Sequence, residues 1–488
     1  MSFFQKIVKA VRSVFSKSKI EAELGVRIAV SSKMEERIEL WTEMFEDRPP
    51  WKDPESGKKT LNLPVSISTE IARLVTLEMK STVSGSPRAD YVNTQYQRAV
   101  DKARNYTEFA AGTGGIVLKP FVAGKNIYTT TVQAEDFWPT EFDSDGEVRG
   151  AVFRDFEYDE KYRYTRLEWH TYDNGLYVIR NKCYRLQISD ITPNSDNLGD
   201  PVPLTSVARW ADVGEEVRFG NVDKPLFAYY KMPFANNVES KSPLGVSAFA
   251  RAVSQIQEAD RLWSEIVWEY KSKEAALHAS DNLFERDSQG KVILPEGEER
   301  LYRTFRWERD QKLDTFSPEI RDTSMFNGLN KYLQKIEFQC GLAYGTLSEP
   351  SMVDKTAEEI IQSKQRSYAT VLDTQKALEK ALRHLVYAID TLTTLYGLAP
   401  AGNYDVTFEL DDSVVVDAER ERQRDLQEVR EGLMKKWEFR VKWYGETPEK
   451  AKQMVGAEED ESDEEILDFI TNEPEEDEGA QKPEVNGG

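Results

Sequence analysis

Two cysteines and three histidines are all that 488 residues offer of the side chains that most often bind transition metals. Cys183 and Cys340 stand far apart and belong to no Cys-x-x-Cys or Cys/His pattern, so neither a disulfide framework nor a structural zinc site is expected, and a reducing compartment is the natural setting. No run approaches the roughly 18 apolar residues of a membrane span. Charges interrupt the apolar stretch at the N-terminus and no small-residue cleavage site follows it, so a secretory leader is not expected either. A nucleotide-binding loop is missing, and no catalytic residue, cofactor or metal is expected. Basic residues are also in deficit, 64 Lys and Arg against 86 Asp and Glu, for a net charge of −22. Fourteen of the acids and one lysine fall in 457–488, so the rest of the chain is only mildly acidic. That balance argues against tight, sequence-independent gripping of nucleic acid, which needs a concentrated basic surface. It suits a surface past which a duplex moves without sticking.

What the chain does have is length enough for about two to four domains and several long helical patterns. The stretch 241–277 opens with Ser242, Pro243 and Gly245 and then runs about thirty residues without Gly or Pro, which predicts one helix of about 45 Å. Phe249, Val253, Ile256, Trp263, Val267 and Tyr270 fall at helical spacing, broken only by Asp260, and form a candidate packing face. A second helix repeats the spacing at Phe326, Leu329, Leu333, Ile336, Cys340 and Ala343. A third, 356–396, carries Ile360, Val371, Thr374, Leu378, Leu382, Leu385, Ile389 and Leu392.

Around these, residues 1–19 predict a basic amphipathic helix that docks on its own protein or a neighbouring subunit in preference to a membrane surface. A helix over 31–48, capped by Ser31 or Ser32, ends at Pro49, Pro50 and Pro54; 64–80 and 91–111 read as further helices. After Gly112 the period becomes alternating, with strands expected at 116–122, 125–132, 148–157, 162–172, 175–179 and 182–188, a meandering antiparallel block. The fold class is therefore α+β. Gly112, Gly114 and Gly115 mark a turn or close backbone approach, not a phosphate cradle, since they follow a helix and precede a strand. Asp143 and Asp145 suit a hairpin turn better than a calcium loop, whose twelfth ligand would be Val152. His170, with no companion motif, reads as structural. Between the first two long helices, 278–322 mixes turns with short strands at 291–294 and 300–307. Phe284, Phe305 and Trp307 among Arg303, Arg306 and Arg309 suit a protein interface better than a base-stacking platform. The segment 343–355 is polar, broken by Gly345 and Pro350, and reads as a functional loop slung between two helices. A strand at 404–410 and charged helices over 417–434 and from Thr447-Pro448 follow; the acidic end is expected to be mostly disordered.

The order of these features resembles the portal proteins of tailed bacteriophages, and is similar to those of long-tailed phages of Gram-positive hosts. The residues that carry the likeness are FWPTEFDSDGEVRGAVFRD and YTRLEWHTYDNGLYVIRNKCYRL in the strand block, SPLGVSAF with Asp260 beyond it, TAEEI at the third helix, and the acidic end. The resemblance implies a mainly helical portal fold assembled as a dodecameric ring at one capsid vertex of the virion, built in the host cytoplasm. Its parts would be the wing (1–240), first stem helix (241–277), clip (278–322), second stem helix (323–342), tunnel loop (343–355), long wing helix and strand (356–410), crown helices (411–456) and acidic tail (457–488). Ser348, Glu349, Pro350, Ser351, Met352, Val353, Asp354 and Lys355 would approach double-stranded DNA. Phe284, Arg303, Phe305, Arg306, Trp307 and Arg309 would meet the packaging terminase and later the head-completion adaptors. Major capsid and scaffolding proteins are further implied partners, and no membrane is. A carboxylate-dependent hydrolase using Asp143 and Glu168, or a helical scaffold without a channel, are the alternative classes.

Helix geometry bears on the ring independently. Helices packed at roughly 10 Å, about twelve around an axis, would stand at a radius of about 19 Å and leave a bore near 28 Å, wide enough for a duplex of roughly 20 Å; about six would leave only about 10 Å.

Overall fold

The computed structural model describes residues 17–52, 58–77, 79–191, 197–273, 276–280, 284–286, 289, 292, 302–305, 313–316, 319, 321–349, 357–410 and 418–455. The basic helix expected over 1–19 lies almost wholly outside these residues, and the acidic end 457–488 lies entirely outside them. The chain divides into two compact units, Met1–Asp411 and Asp412–Gly488. Helices and mainly antiparallel sheets make it α+β.

The first unit begins with α1 (Lys17–Leu24) and α2 (Ser32–Phe45). Ser31 caps α2 by accepting from the Met34 amide, satisfying one of the donors a helix start leaves free. The helix expected over 64–80 is shorter, α3 (Leu63–Val75), and is followed by a strand, β1 (Lys80–Ser84), whose alternate residues Ser81 and Val83 point inward. The helix expected over 91–111 is two, α4 (Pro87–Val100) and α5 (Ala103–Thr113), because they serve different partners: α4 packs on β1, whereas α5 packs on α3.

The strand block is not one meander but two sheets. In the first, β2 (Gly115–Ala123) lies between β3 (Asn126–Gln133) and β10 (Ala228–Lys231). The second runs β4 (Phe137–Phe142), β5 (Val148–Tyr158), β6 (Tyr162–Asp173), β7 (Leu176–Gln187) and β8 (Asp200–Val202), with β9 (Glu216–Phe219) also paired to β7. The two strands expected at 175–179 and 182–188 are one. Arg180 does not break β7, because its guanidinium stacks 4.9 Å from the Trp169 ring and pairs with Glu216 at 2.8 Å.

The polar turn at 112–115 is a close backbone crossing, as expected. A Cβ on Gly245 would lie 2.0 Å from the Gly114 carbonyl oxygen, and Gly114 itself has φ 98°. This crossing also overturns the prediction of a helix from 241 onward. The Ala248 amide and Ser247 hydroxyl both donate to the Ala111 carbonyl, at 2.9 and 3.2 Å, so the chain here is tied to α5 instead of to itself. Helix formation waits until α6 (Val253–Ser272), and 276–280, expected as the helix end or the loop beyond it, is a strand, β11 (Ala276–Ser280). Strand β11 lies between β12 (Tyr302–Phe305), parallel to it, and β13 (Leu313–Phe316), antiparallel. At 291–294 only Val292 is described, bridged to Arg286.

After α7 (Asp322–Cys340) comes α8 (Ala357–Leu395), 39 residues that cross the core against α3, α4, β2 and β10. Thr374, Leu378, Leu382, Leu385 and Ile389 are buried along it, as the spacing predicted. Arg88 on α4 fastens it, donating to the Asp390 carboxylate at 2.6 Å and the Ala399 carbonyl at 3.0 Å. Strand β14 (Asp405–Glu409) then pairs antiparallel with β1. The second unit holds α9 (Ala418–Arg430), α10 (Lys436–Tyr444), which the sequence did not announce, and α11 (Pro448–Val455). Within it the buried Asp425 carboxylate accepts from Trp443 at 2.9 Å and Lys442 at 2.7 Å.

His170 belongs to a buried relay that joins the two large sheets. The Leu226 amide donates to the Tyr177 hydroxyl (3.0 Å), which faces His170 Nδ1 (2.6 Å); Nε2 faces Glu168 (2.6 Å), whose other oxygen meets Lys119 on β2 (2.7 Å). A neutral imidazole protonated at Nε2 satisfies every step. Burial pushes His170 below its ordinary 6.5, against the pull of Glu168. Burial pushes Glu168 up, yet Lys119, Arg166 and His170 together hold it well below 4.5. Both groups bind fewer protons folded than unfolded, so the stability these two contribute is full above pH 6.5, declines as pH falls through that value and declines further below 4.5. Lys119→Met, which takes one cation from Glu168 and leaves it Arg166 at 3.0 Å and His170, should cost about 1.5–3 kcal/mol, and adding Glu168→Leu should recover part of it. Thermal melts of the two variants between pH 4 and 8 test this; equal melting temperatures for single and double variants would refute the coupling.

Candidate functional site

Helices α6 and α7 form an antiparallel pair. The end of α6 meets the start of α7 through Glu269 and Arg321, while farther along Gly328 lies opposite Leu262. With 20 residues, α6 is about 30 Å long, shorter than predicted. Its buried residues are Ile256, Ala259, Asp260, Ile266 and Glu269; those of α7 are Leu329, Ile336, Glu337 and Cys340. Of the predicted packing face, Ile256, Asp260, Leu329 and Ile336 are buried within the chain; Phe249 precedes the helix and is buried in the core; Val253, Trp263, Val267 and Leu333 are half-buried and Tyr270 is exposed. Along the later turns Ile266 and Glu269 are the residues buried within the chain.

Two of the buried α6 residues are carboxylates with no apolar role. Asp260 accepts from the Trp51 indole at 2.9 Å and from the Leu61 amide at 2.8 Å. One turn on, Ser264 accepts from the Lys59 amide at 3.0 Å, so the segment after Pro50 is laced to α6. Burial pushes the Asp260 carboxyl up, and its two donors partly offset that. Glu269 receives both guanidinium arms of Arg321 (3.1 and 3.0 Å) and Lys273 (2.6 Å), which bring it down to about 2. On the outer face of α6, Arg261 donates to the carboxylates of both Glu258 and Glu265.

The third buried carboxylate is on α7, and sequence reasoning missed it. Glu337 Oε1 accepts from the amides of Gly345, Leu347 and Ser348 (3.1, 2.6 and 2.8 Å), and Oε2 from the Ser348 hydroxyl (2.9 Å). Asn330 accepts from the Glu349 amide at 2.8 Å. Helix α7 closes at Gly341, φ 73°, where a Cβ would lie 2.3 Å from the Thr370 hydroxyl oxygen of α8. Arg366 of α8 stacks 4.2 Å from the Phe338 ring and 5.7 Å from Tyr344. The only advance signal of this knot was a lone acid at a position where α7 should be apolar.

Of the expected loop residues, Ser348 and Glu349 sit in this knot, while Pro350, Ser351, Met352, Val353, Asp354 and Lys355 lie outside the described residues. Of the expected clip residues, Arg303 and Phe305 are on β12, opposite His278 and Ser280 of β11. Phe284 is half-buried beyond β11. Arg306, Trp307 and Arg309 lie outside the described residues. Asp143 holds a hairpin turn, accepting from the Asp145 and Glu147 amides at 3.0 and 2.8 Å, and Glu168 is buried in the sheet relay; the structure does not make a shared cleft of the two. Among the described residues no group of three or more His, Cys, Asp or Glu is placed to hold a metal, and no helix is long and apolar enough to cross a membrane.

No protein-family model and no curated protein sequence matches the chain. Among solved structures it is similar to a chain described as "Neck of native GTA particle computed with C12 symmetry", with 11% identity, 87% of this chain and 97% of that chain covered, and a TM-score of 0.40. A likeness at that level establishes no shared fold.

Asp260→Ala should strand two donors and lower stability by about 2–4 kcal/mol. Hydrogen exchange should show the Leu61 amide opening first; an unchanged Leu61 rate would mean that the carboxylate does not hold this segment.

Proposed function

We propose that this chain is a portal-type ring subunit, with α6 and α7 standing around an axis as the wall of a channel for double-stranded DNA. The observation that carries the proposal is the set of large aromatics that the helix pair leaves uncovered. One face of each helix is used within the chain, yet Trp268 (68% exposed), Phe338 (52%), Tyr270 (43%) and Phe326 (39%) remain open to solvent on the same two helices. Large aromatics each contribute about 1.5–3 kcal/mol when buried. Neighbouring copies of the pair would cover them, and a closed ring does so for every copy without leaving an open end.

At ordinary helix spacing about twelve copies leave a bore that admits a duplex. The outer-face ladder of Glu258, Arg261 and Glu265 carries both signs and would not grip phosphates. On this reading the three-stranded sheet of β11, β12 and β13 is the clip, where the terminase and then head-completion adaptors dock, and the loop after Glu349 approaches the DNA. The ring sits at a capsid vertex of a phage virion, in contact with capsid and scaffolding proteins. It does no chemistry of its own, and a separate ATPase supplies the force.

Mass measurement and class-averaged electron micrographs of the purified protein test the ring. A particle of about twelve chains with a central hole is expected, and Trp268→Glu combined with Phe338→Glu should return it to single, folded chains. A wild-type protein that stays monomeric under all assembly conditions would end the proposal. Deleting 348–354 should leave the ring intact and abolish most DNA packaging; normal packaging by the deleted form would remove the loop from the mechanism.

A further inference from the structure

We infer that Glu337 is a positioning residue: it makes the root of the loop after α7 a rigid extension of that helix. Its side chain is 0% exposed, and its recorded partners are three amides and one hydroxyl, all from Gly345, Leu347 and Ser348. A carboxylate surrounded by backbone donors is the arrangement by which a protein binds a free anion. Here the anion is built into the preceding helix, and the loop is its ligand.

Three features make the arrangement one body. Asn330, two turns earlier on α7, accepts from the Glu349 amide, so the loop is held at two points on one side of the helix. The Thr346 hydroxyl donates to the Ala343 carbonyl at 2.6 Å and the Gly345 amide also reaches the Ser348 hydroxyl at 3.2 Å, which closes the turn internally. From α8, Arg366 covers Tyr344 and Phe338, and Thr370 packs on Gly341. Three of the four donors held by Glu337 are backbone groups, which no side-chain change within the loop removes. The consequence is that a shift or rotation of α7 carries 345–349 with it, and a perturbation of this loop root reaches α7. That this matters to DNA passage rests on the channel reading; the anchoring itself does not.

The experiment is amide hydrogen exchange on the purified full chain in its native assembly, with Glu337→Ala, Glu337→Asp and Ser348→Ala. In Glu337→Ala the peptides covering 345–349 should exchange at least about tenfold faster while α6 and the first half of α7 keep their rates. Glu337→Asp, one methylene short, should fall between, and Ser348→Ala should release Gly345 more than Leu347. Should Glu337→Ala fail to fold, the Asp and Ser348→Ala variants give the same reading. Unchanged rates across 345–349, or acceleration spread evenly over α7, would overturn the inference. DNA packaging by the same variants reads the other claim: loop-specific acceleration with undiminished packaging would keep the anchor and overturn its role in DNA passage.

Discussion

Burying a carboxylate costs several kcal/mol unless its oxygens are saturated by well-placed donors, and the α6–α7 pair buries three. Each is saturated by a different kind of partner. Asp260 takes an indole and an amide from the segment after α2; Glu269 takes a guanidinium across the base of the pair and the ammonium of Lys273, which caps its own helix; Glu337 takes amides from the loop that follows. Because each acid has at least one donor from another segment, each carboxylate fixes a neighbour in place. The apolar seam of Ile256, Ile266, Leu329 and Ile336 supplies attraction, but attraction of that kind tolerates sliding. Hydrogen-bonded acids do not, and they set the register of the pair and of what is hung from it.

The same constraint explains why the pair leaves large aromatics uncovered within the chain. Its inward face is occupied by acids and their donors as well as by apolar side chains, so large aromatics that an ordinary two-helix seam would hide are left outside. Trp268 lies on the same side of α6 as the charged ladder, and Phe338 is open on α7 though an arginine stacks on one side of it. Loops joining such elements are where function concentrates, yet here the loop root is among the better-determined parts, since its backbone donors are spoken for.

Much of the architecture was legible in advance. The 39-residue α8 and its buried positions followed from spacing, Ser31 as a cap from residue type, and the 112–115 crossing from glycines in the wrong order for a phosphate site. Residues 244–252 carry helix-compatible side chains, but the Ala248 amide goes to the Ala111 carbonyl of α5, the Gly245 amide to the Tyr229 hydroxyl and the Phe249 amide to the Ser247 hydroxyl, and propensity does not register such competing acceptors. Trp, Val and Tyr mark apolar surface whichever neighbour covers it, Asp260 reads only as a break in the pattern, and nothing in the spacing marks Glu269 or Glu337 as buried.

What the sequence by itself determined is local: that long helices and a block of strands are present and in what order, that metal-binding side chains are scarce and that the acid load is concentrated at one end. These depend on residues within a few turns of one another. Tertiary structure alone decided the partners, because they come from distant parts of the chain. Trp51 and Asp260 are 209 residues apart, and β1 meets β14 across a separation of more than 300. A carboxylate in a helix is a solvated surface group or a buried anchor according to whether the remaining chain delivers donors to it, and no periodicity records that delivery.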